Sequence, residues 1–160
     1  MTAMLRQQSR VAVALLTAFW AAVAVAGAAT TERVVADYHT GLAISGFDPV
    51  AYFTDAAARL GVGDHEFTAF GVTWRFRNEG NRAAFAAAPQ VYAPQFGGYD
   101  PVVVARGVAT PGHPQLWLVH EQKLYLFHAS ETQASFAANP HEVLEAAEDK
   151  WPEVEKALVP

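Results

Sequence analysis

Residues 71–92 decide the architecture: Gly71-Val72-Thr73-Trp74-Arg75-Phe76-Arg77-Asn78-Glu79-Gly80-Asn81-Arg82-Ala83-Ala84-Phe85-Ala86-Ala87-Ala88-Pro89-Gln90-Val91-Tyr92. Val72, Trp74 and Phe76 alternate with Thr73, Arg75 and Arg77, the period-2 pattern of a strand with one buried face. Asn78 offers a capping oxygen, the alanine-rich run from Arg82 to Ala88 favours helix, and Pro89 stops it. The same unit returns 51 residues later: Trp74 is matched by Tyr125, Phe76 by Phe127, Ala83 by Ala134, Phe85-Ala86-Ala87 by Phe136-Ala137-Ala138, and Pro89 by Pro140. A constant offset across strand, helix and stop argues against a coincidence of alanine-rich composition and predicts a fold built on two copies of one strand–helix–proline unit.

Ahead of the first unit, Arg6 and Arg10 precede the uncharged apolar run Val11–Ala26, and Ala24-Val25-Ala26 and Ala26-Gly27-Ala28 offer small-residue cleavage sites. This is the pattern of a secretory signal peptide over residues 1–29, favoured over an uncleaved anchor because the run is short for a span of about 20 residues. Residues 30–160 are expected to form a single domain outside the cytoplasm, periplasmic or secreted, with no stable membrane insertion. Loss of Arg6 and Arg10 leaves nine Lys and Arg against 16 Asp and Glu, a net charge of −7, which argues against a nucleic-acid partner. The chain has no cysteine, so disulfides, thiolate metal sites and a cysteine nucleophile are all excluded.

Along the chain, Ala43-Ile44-Ser45 reads as a short strand, and Asp48-Pro49 as the capped start of a short helix. Residues 66–77 read as a hairpin folded at Phe70-Gly71, and residues 116–127 as a second hairpin around Glu121-Gln122. The apolar run Val102–Ala105 predicts a central strand. Ser130-Glu131-Thr132-Gln133 has the form of a capping box, and Asn139-Pro140 opens a last helix that Trp151-Pro152 should kink or end. The fold class expected is α+β, a small mostly antiparallel sheet with short helices.

Four segments carry a resemblance to the YHS domain family, and to its exported single-domain bacterial members: Gly46–Phe53, Gly71–Phe76, Tyr92–Tyr99 and Lys123–Leu126. Together they reach from about Leu42 to Trp151. The resemblance implies kinship with small metal-associated modules that hold a metal through cysteines. The matching positions here are Ala51, Arg77 and Asn81, with Asp100 where related exported proteins carry a further cysteine after Gly-Gly-Tyr. The inherited cysteine site is therefore absent, and metal binding would need other ligands.

Among six histidines, none shows the i, i+4 spacing of a helical zinc motif. Taken singly, each reads first as a surface residue. His113, on the stiff loop Gly112-His113-Pro114, and His128, at the repeat position of Arg77, stand out. With Asp100 they form the candidate metal set, a borderline donor mixture suited to copper, zinc or iron. Asp48, Tyr52, Trp74 and Tyr99 are the candidate small-ligand residues, weighed against a capping role for Asp48 and core packing for the aromatics. No serine has a nucleophile context, so no catalytic residue is assigned. The expected role is a non-catalytic periplasmic binding protein for a metal or small ligand. The alternative is a metal-free module binding a cell-envelope protein, and a carboxylate-based enzyme ranks last.

Overall fold

The computed structural model describes residues 32–158, so the signal-peptide reading lies outside the described residues. Strands β1 (Val62–Ala69) and β2 (Val72–Phe76) form one antiparallel hairpin, and β3 (His113–His120) and β4 (Lys123–Phe127) form another. The fold is α+β, with two separate two-stranded sheets in place of one larger sheet. Both hairpins turn through two left-handed residues, Phe70 and Gly71 (φ 56° and 80°) and Glu121 and Gln122 (φ 49° and 60°), the turn whose twist suits flanking strands. Register slips between Val62 and Glu66 and, 51 residues on, between His113 and Trp117.

Each hairpin leads into a nine-residue helix, α2 (Glu79–Ala87) after β2 and α5 (Ser130–Ala138) after β4. Counting the short helices, α1 spans Ala51–Thr54, α3 Pro89–Tyr92, α4 Pro101–Val104 and α6 Pro140–Ala157. Phe85 of α2 packs at 4.9 Å from Trp74 and 5.2 Å from Phe76. Phe136 of α5 packs at 5.0 Å from Tyr125 and 5.3 Å from Phe127. The alternation read from the sequence thus buries the same aromatic triplet twice. Asn78 caps α2 through its side chain, which accepts from the Asn81 N–H. Ser130 does not cap α5: Ala129 holds the cap position, and the Gln133 amide is drawn away to the Trp117 carbonyl at 2.8 Å, within the slipped part of the second hairpin.

The repeat extends further upstream than the strand–helix unit. Ile44-Ser45-Gly46 and Phe96-Gly97-Gly98 are two runs of three left-handed residues, each inside a 3-10 turn. The strand expected at Ala43–Ser45 is therefore a turn, entered by bridges from Ala43 to Ala36 and from Leu42 to Thr73. After each turn an Asp-Pro pair starts a single helical turn, α1 and α4. The strand expected at Val102–Ala105 is this second helix. It is apolar because it sits between β4 and α6, burying Val102 and Val104, and not because it lies inside a sheet.

The units diverge after the proline stop. In the first, α3 ends within one turn. In the second, α6 runs on for 18 residues. Pro152 lies within α6 and does not end it. Val154 and Leu158 beyond it are buried, and Trp151 packs edge-on to Phe96 at 5.5 Å, so packing holds the last turns despite the missing N–H. The units share a core: Tyr52 packs edge-on to Trp117 at 5.2 Å, and Leu124 and Leu126 join Trp74 and Phe76. Among the described residues, no helix is long and apolar enough to cross a membrane.

Candidate functional site

Among the described residues, the only charged ones in the core are Asp48 and Asp100, both fully buried, and they occupy equivalent places in the two units. Each is fixed by the turn before it and the proline after it. Asp48 Oδ1 accepts the N–H groups of Val50 and Ala51 at 2.9 and 3.3 Å, and Oδ2 accepts Arg77 N–H at 2.8 Å and the Asn81 amide at 2.7 Å. Asp100 Oδ1 accepts Val102 N–H at 2.9 Å, and Oδ2 accepts His128 N–H at 2.9 Å. His128 Nδ1 and Thr132 Oγ1 lie 2.8 and 2.5 Å from the same oxygen. A carboxylate oxygen only accepts, so the ring proton resides on Nδ1. Each aspartate thus ties its own short helix to the end of its hairpin and to the helix that follows.

This arrangement locates the residues singled out in the sequence. Asp48, Tyr52, Trp74 and Tyr99 are buried, and their polar atoms are spent within the protein. The Tyr52 hydroxyl donates to Pro114 O at 2.8 Å, Trp74 Nε1–H to Ala69 O at 3.1 Å, and the Tyr99 hydroxyl to Glu32 O at 2.5 Å. Burial, then the nearby Asp48 charge, raises the Tyr52 phenol far above its ordinary ionisation range. Asp100 and His128 are brought together. His113 stands on β3 opposite Phe127, its Nδ1 accepting Gln115 N–H at 3.2 Å. Among the described residues, no group of three or more His, Cys, Asp or Glu side chains is placed to hold one metal ion.

An open groove lies elsewhere. A groove of about 880 Å³ runs between the N-terminal strap Glu32–Val34, the tip of the first hairpin and α6. Its walls carry Phe70, Phe96 and Trp151, with Arg33, Glu32 and Glu155 as charges. The strap is held by Val35 N–H to Gly97 O at 2.8 Å, and the Arg33 carbonyl passes so close that a Cβ on Gly97 would lie 1.9 Å from it. Only glycine fits there, and its φ of 62° is also glycine's region. Phe70 is 53% exposed at a left-handed turn position, over the groove. Volume and lining match the usual small-molecule site, an aromatic wall with a few polar groups. Sequence reasoning missed Phe70, Phe96 and Trp151. One signal was available for Phe70, a large aromatic in the two-residue turn of a hairpin, where it cannot reach the core.

No family model matches the chain, and no curated protein and no solved structure matches it significantly.

Proposed function

We propose that the chain is an exported, non-catalytic binding protein of YHS type that seats a small, partly aromatic or apolar ligand in the groove between the strap, the first hairpin tip and α6. The observation that carries this reading is the groove itself, with an exposed phenylalanine held over it by a strained turn. The two buried carboxylates support a structural role over a catalytic one, since both oxygens of each already accept hydrogen bonds.

The inherited metal position does not suit a metal. Ala51 has no donor, Arg77 is a cation whose guanidinium pairs with Asp55, and Asn81 gives its amide to Asp48. All three are instead gathered around Asp48, through Ala51 N–H, Arg77 N–H and the Asn81 side chain. A carboxylate taking three or four donors does the tying that a bound ion would do.

The test is binding of an apolar anionic dye, anilinonaphthalene sulfonate, followed by fluorescence, together with native mass spectrometry of the protein isolated from its own cells. The expected result is one dye site, weakened at least tenfold by Phe70→Ala, and a copurifying small molecule. Dye binding untouched by Phe70→Ala, with a stable protein partner and no small molecule, would replace this reading with the interaction module.

A further inference from the structure

His120 ends β3 and His141 lies in the first turn of α6, and the fold sets their rings 6.1 Å apart, centroid to centroid, at 76°. His120 is backed by Phe136, edge-on at 5.8 Å, so its ring is held in place. Among the described residues, His120 Nε2 is the one buried side-chain nitrogen or oxygen without a hydrogen-bond partner. Burying a polar nitrogen unpaired is costly, and such an atom calls for an explanation. The nearest carboxylate, Glu121 Oε1, is 3.9 Å away, too far for a hydrogen bond. His141 is exposed and free to turn its ring without disturbing the core.

We propose that His120 and His141 form a two-imidazole site for a divalent late first-row metal ion, copper(II) or zinc(II), with water completing its coordination. Imidazole nitrogens suit these ions, and copper(II) binds a given nitrogen site more tightly than zinc(II). The His120 ring is preorganised by Phe136, so ordering costs fall mainly on His141. This pair is separate from the Asp100–His128 contact and from the groove, and it stands whether or not the groove binds a ligand.

The test is calorimetric titration of the protein, purified without a histidine tag, with copper(II) and zinc(II), together with electron paramagnetic resonance of the copper(II) form. One equivalent should bind, copper(II) tighter than zinc(II), with a spectrum showing two equatorial imidazole nitrogens. His141→Ala removes an exposed side chain and should weaken binding at least tenfold. His120→Phe keeps a ring against Phe136 and should do the same without unfolding the domain. His128→Ala and His113→Ala should leave this site unchanged. No uptake of either ion would overturn the proposal. So would uptake unaffected by His141→Ala, or lost instead with His128→Ala.

Discussion

The two halves of this molecule use one plan with different parts. In the first, Asp48 collects backbone N–H groups and one amide, and the cation at the hairpin's end, Arg77, faces outward to Asp55. In the second, Asp100 accepts two backbone N–H groups, from Val102 and His128, where Asp48 accepts three; the residue at Arg77's place is His128, whose ring turns inward onto the carboxylate, and Thr132 replaces Asn81. What is kept is the geometry of a buried acceptor joining three chain segments. What is free to change is which donor completes it. A buried carboxylate needs its lone pairs filled and is indifferent to whether amide, hydroxyl or imidazole fills them.

The largest expected effects test the shared aromatic core. Phe85→Ala and Phe136→Ala should each cost about 3 to 5 kcal/mol in denaturant unfolding, by lost burial and a residual cavity. A difference well beyond 1 kcal/mol would break the equivalence of the halves. Next come the carboxylates. Asp48→Ala and Asp100→Ala each strand several buried donors, at about 3 kcal/mol or more. Asp100→Asn should be milder than Asp48→Asn, because the His128 ring and the Thr132 hydroxyl can both turn from donor to acceptor, whereas at Asp48 only the Asn81 amide can. Equal losses for the two asparagine variants would refute that account.

Two glycines with no side-chain room provide a third comparison. A Cβ on Gly61 would lie 2.4 Å from the Arg75 carbonyl carbon, and one on Gly112 would lie 2.5 Å from Leu126 Cβ. Gly61→Ala and Gly112→Ala should each lower stability by about 1 to 3 kcal/mol through forced backbone shifts. Raising the pH tests the buried phenols, Tyr52 in the first half and Tyr125 in the second. Tyr125 in the folded second half ionises near 12, while an unfolded phenol does so near 10. Its contribution is complete below about pH 10 and is lost as pH rises toward 12, because the unfolded chain releases its proton first. The Tyr125→Phe variant should show a flatter stability profile across that window.

The smallest effect lies at the hairpin tips. The first turn already has glycine at its second left-handed position, Gly71, and the second has Gln122 at φ 60°. Gln122→Gly should raise stability by about 0.4 to 1 kcal/mol if relief of strain outweighs the added freedom of the unfolded chain, read as a higher melting temperature. A loss would show that the Gln122 side chain contributes more than its backbone costs.

Much of this was legible in the chain. The hairpins, their turns, α2, α5 and the 51-residue offset follow from period-2 alternation, capping and proline stops, all of which act within a few residues. The misread run Val102–Ala105 shows where local reading fails. An apolar stretch does not say whether it is covered by a sheet or by helices on both sides. The better clue was Asp100-Pro101 before it, the same helix start as Asp48-Pro49. Pro152 failed in the opposite direction: its local cost is real, but Trp151, Val154 and Leu158 bury enough surface to carry the helix past it.

The sequence by itself determined the two units, the absence of thiol chemistry, and the aromatics that each unit repeats. Only the tertiary structure decided that Asp48 and Asp100 are equivalent buried nodes, that Tyr52, Trp74 and Tyr99 are core, and that the open groove belongs to Phe70, Phe96 and Trp151. It alone brought His120 to His141. Local interactions of sterics and hydrogen bonding set the elements. Which side chains meet depends on how α6 and the N-terminal strap close over the shared core, and such contacts join residues as far apart as Glu32 and Tyr99, 67 positions, too far for any local pattern to record.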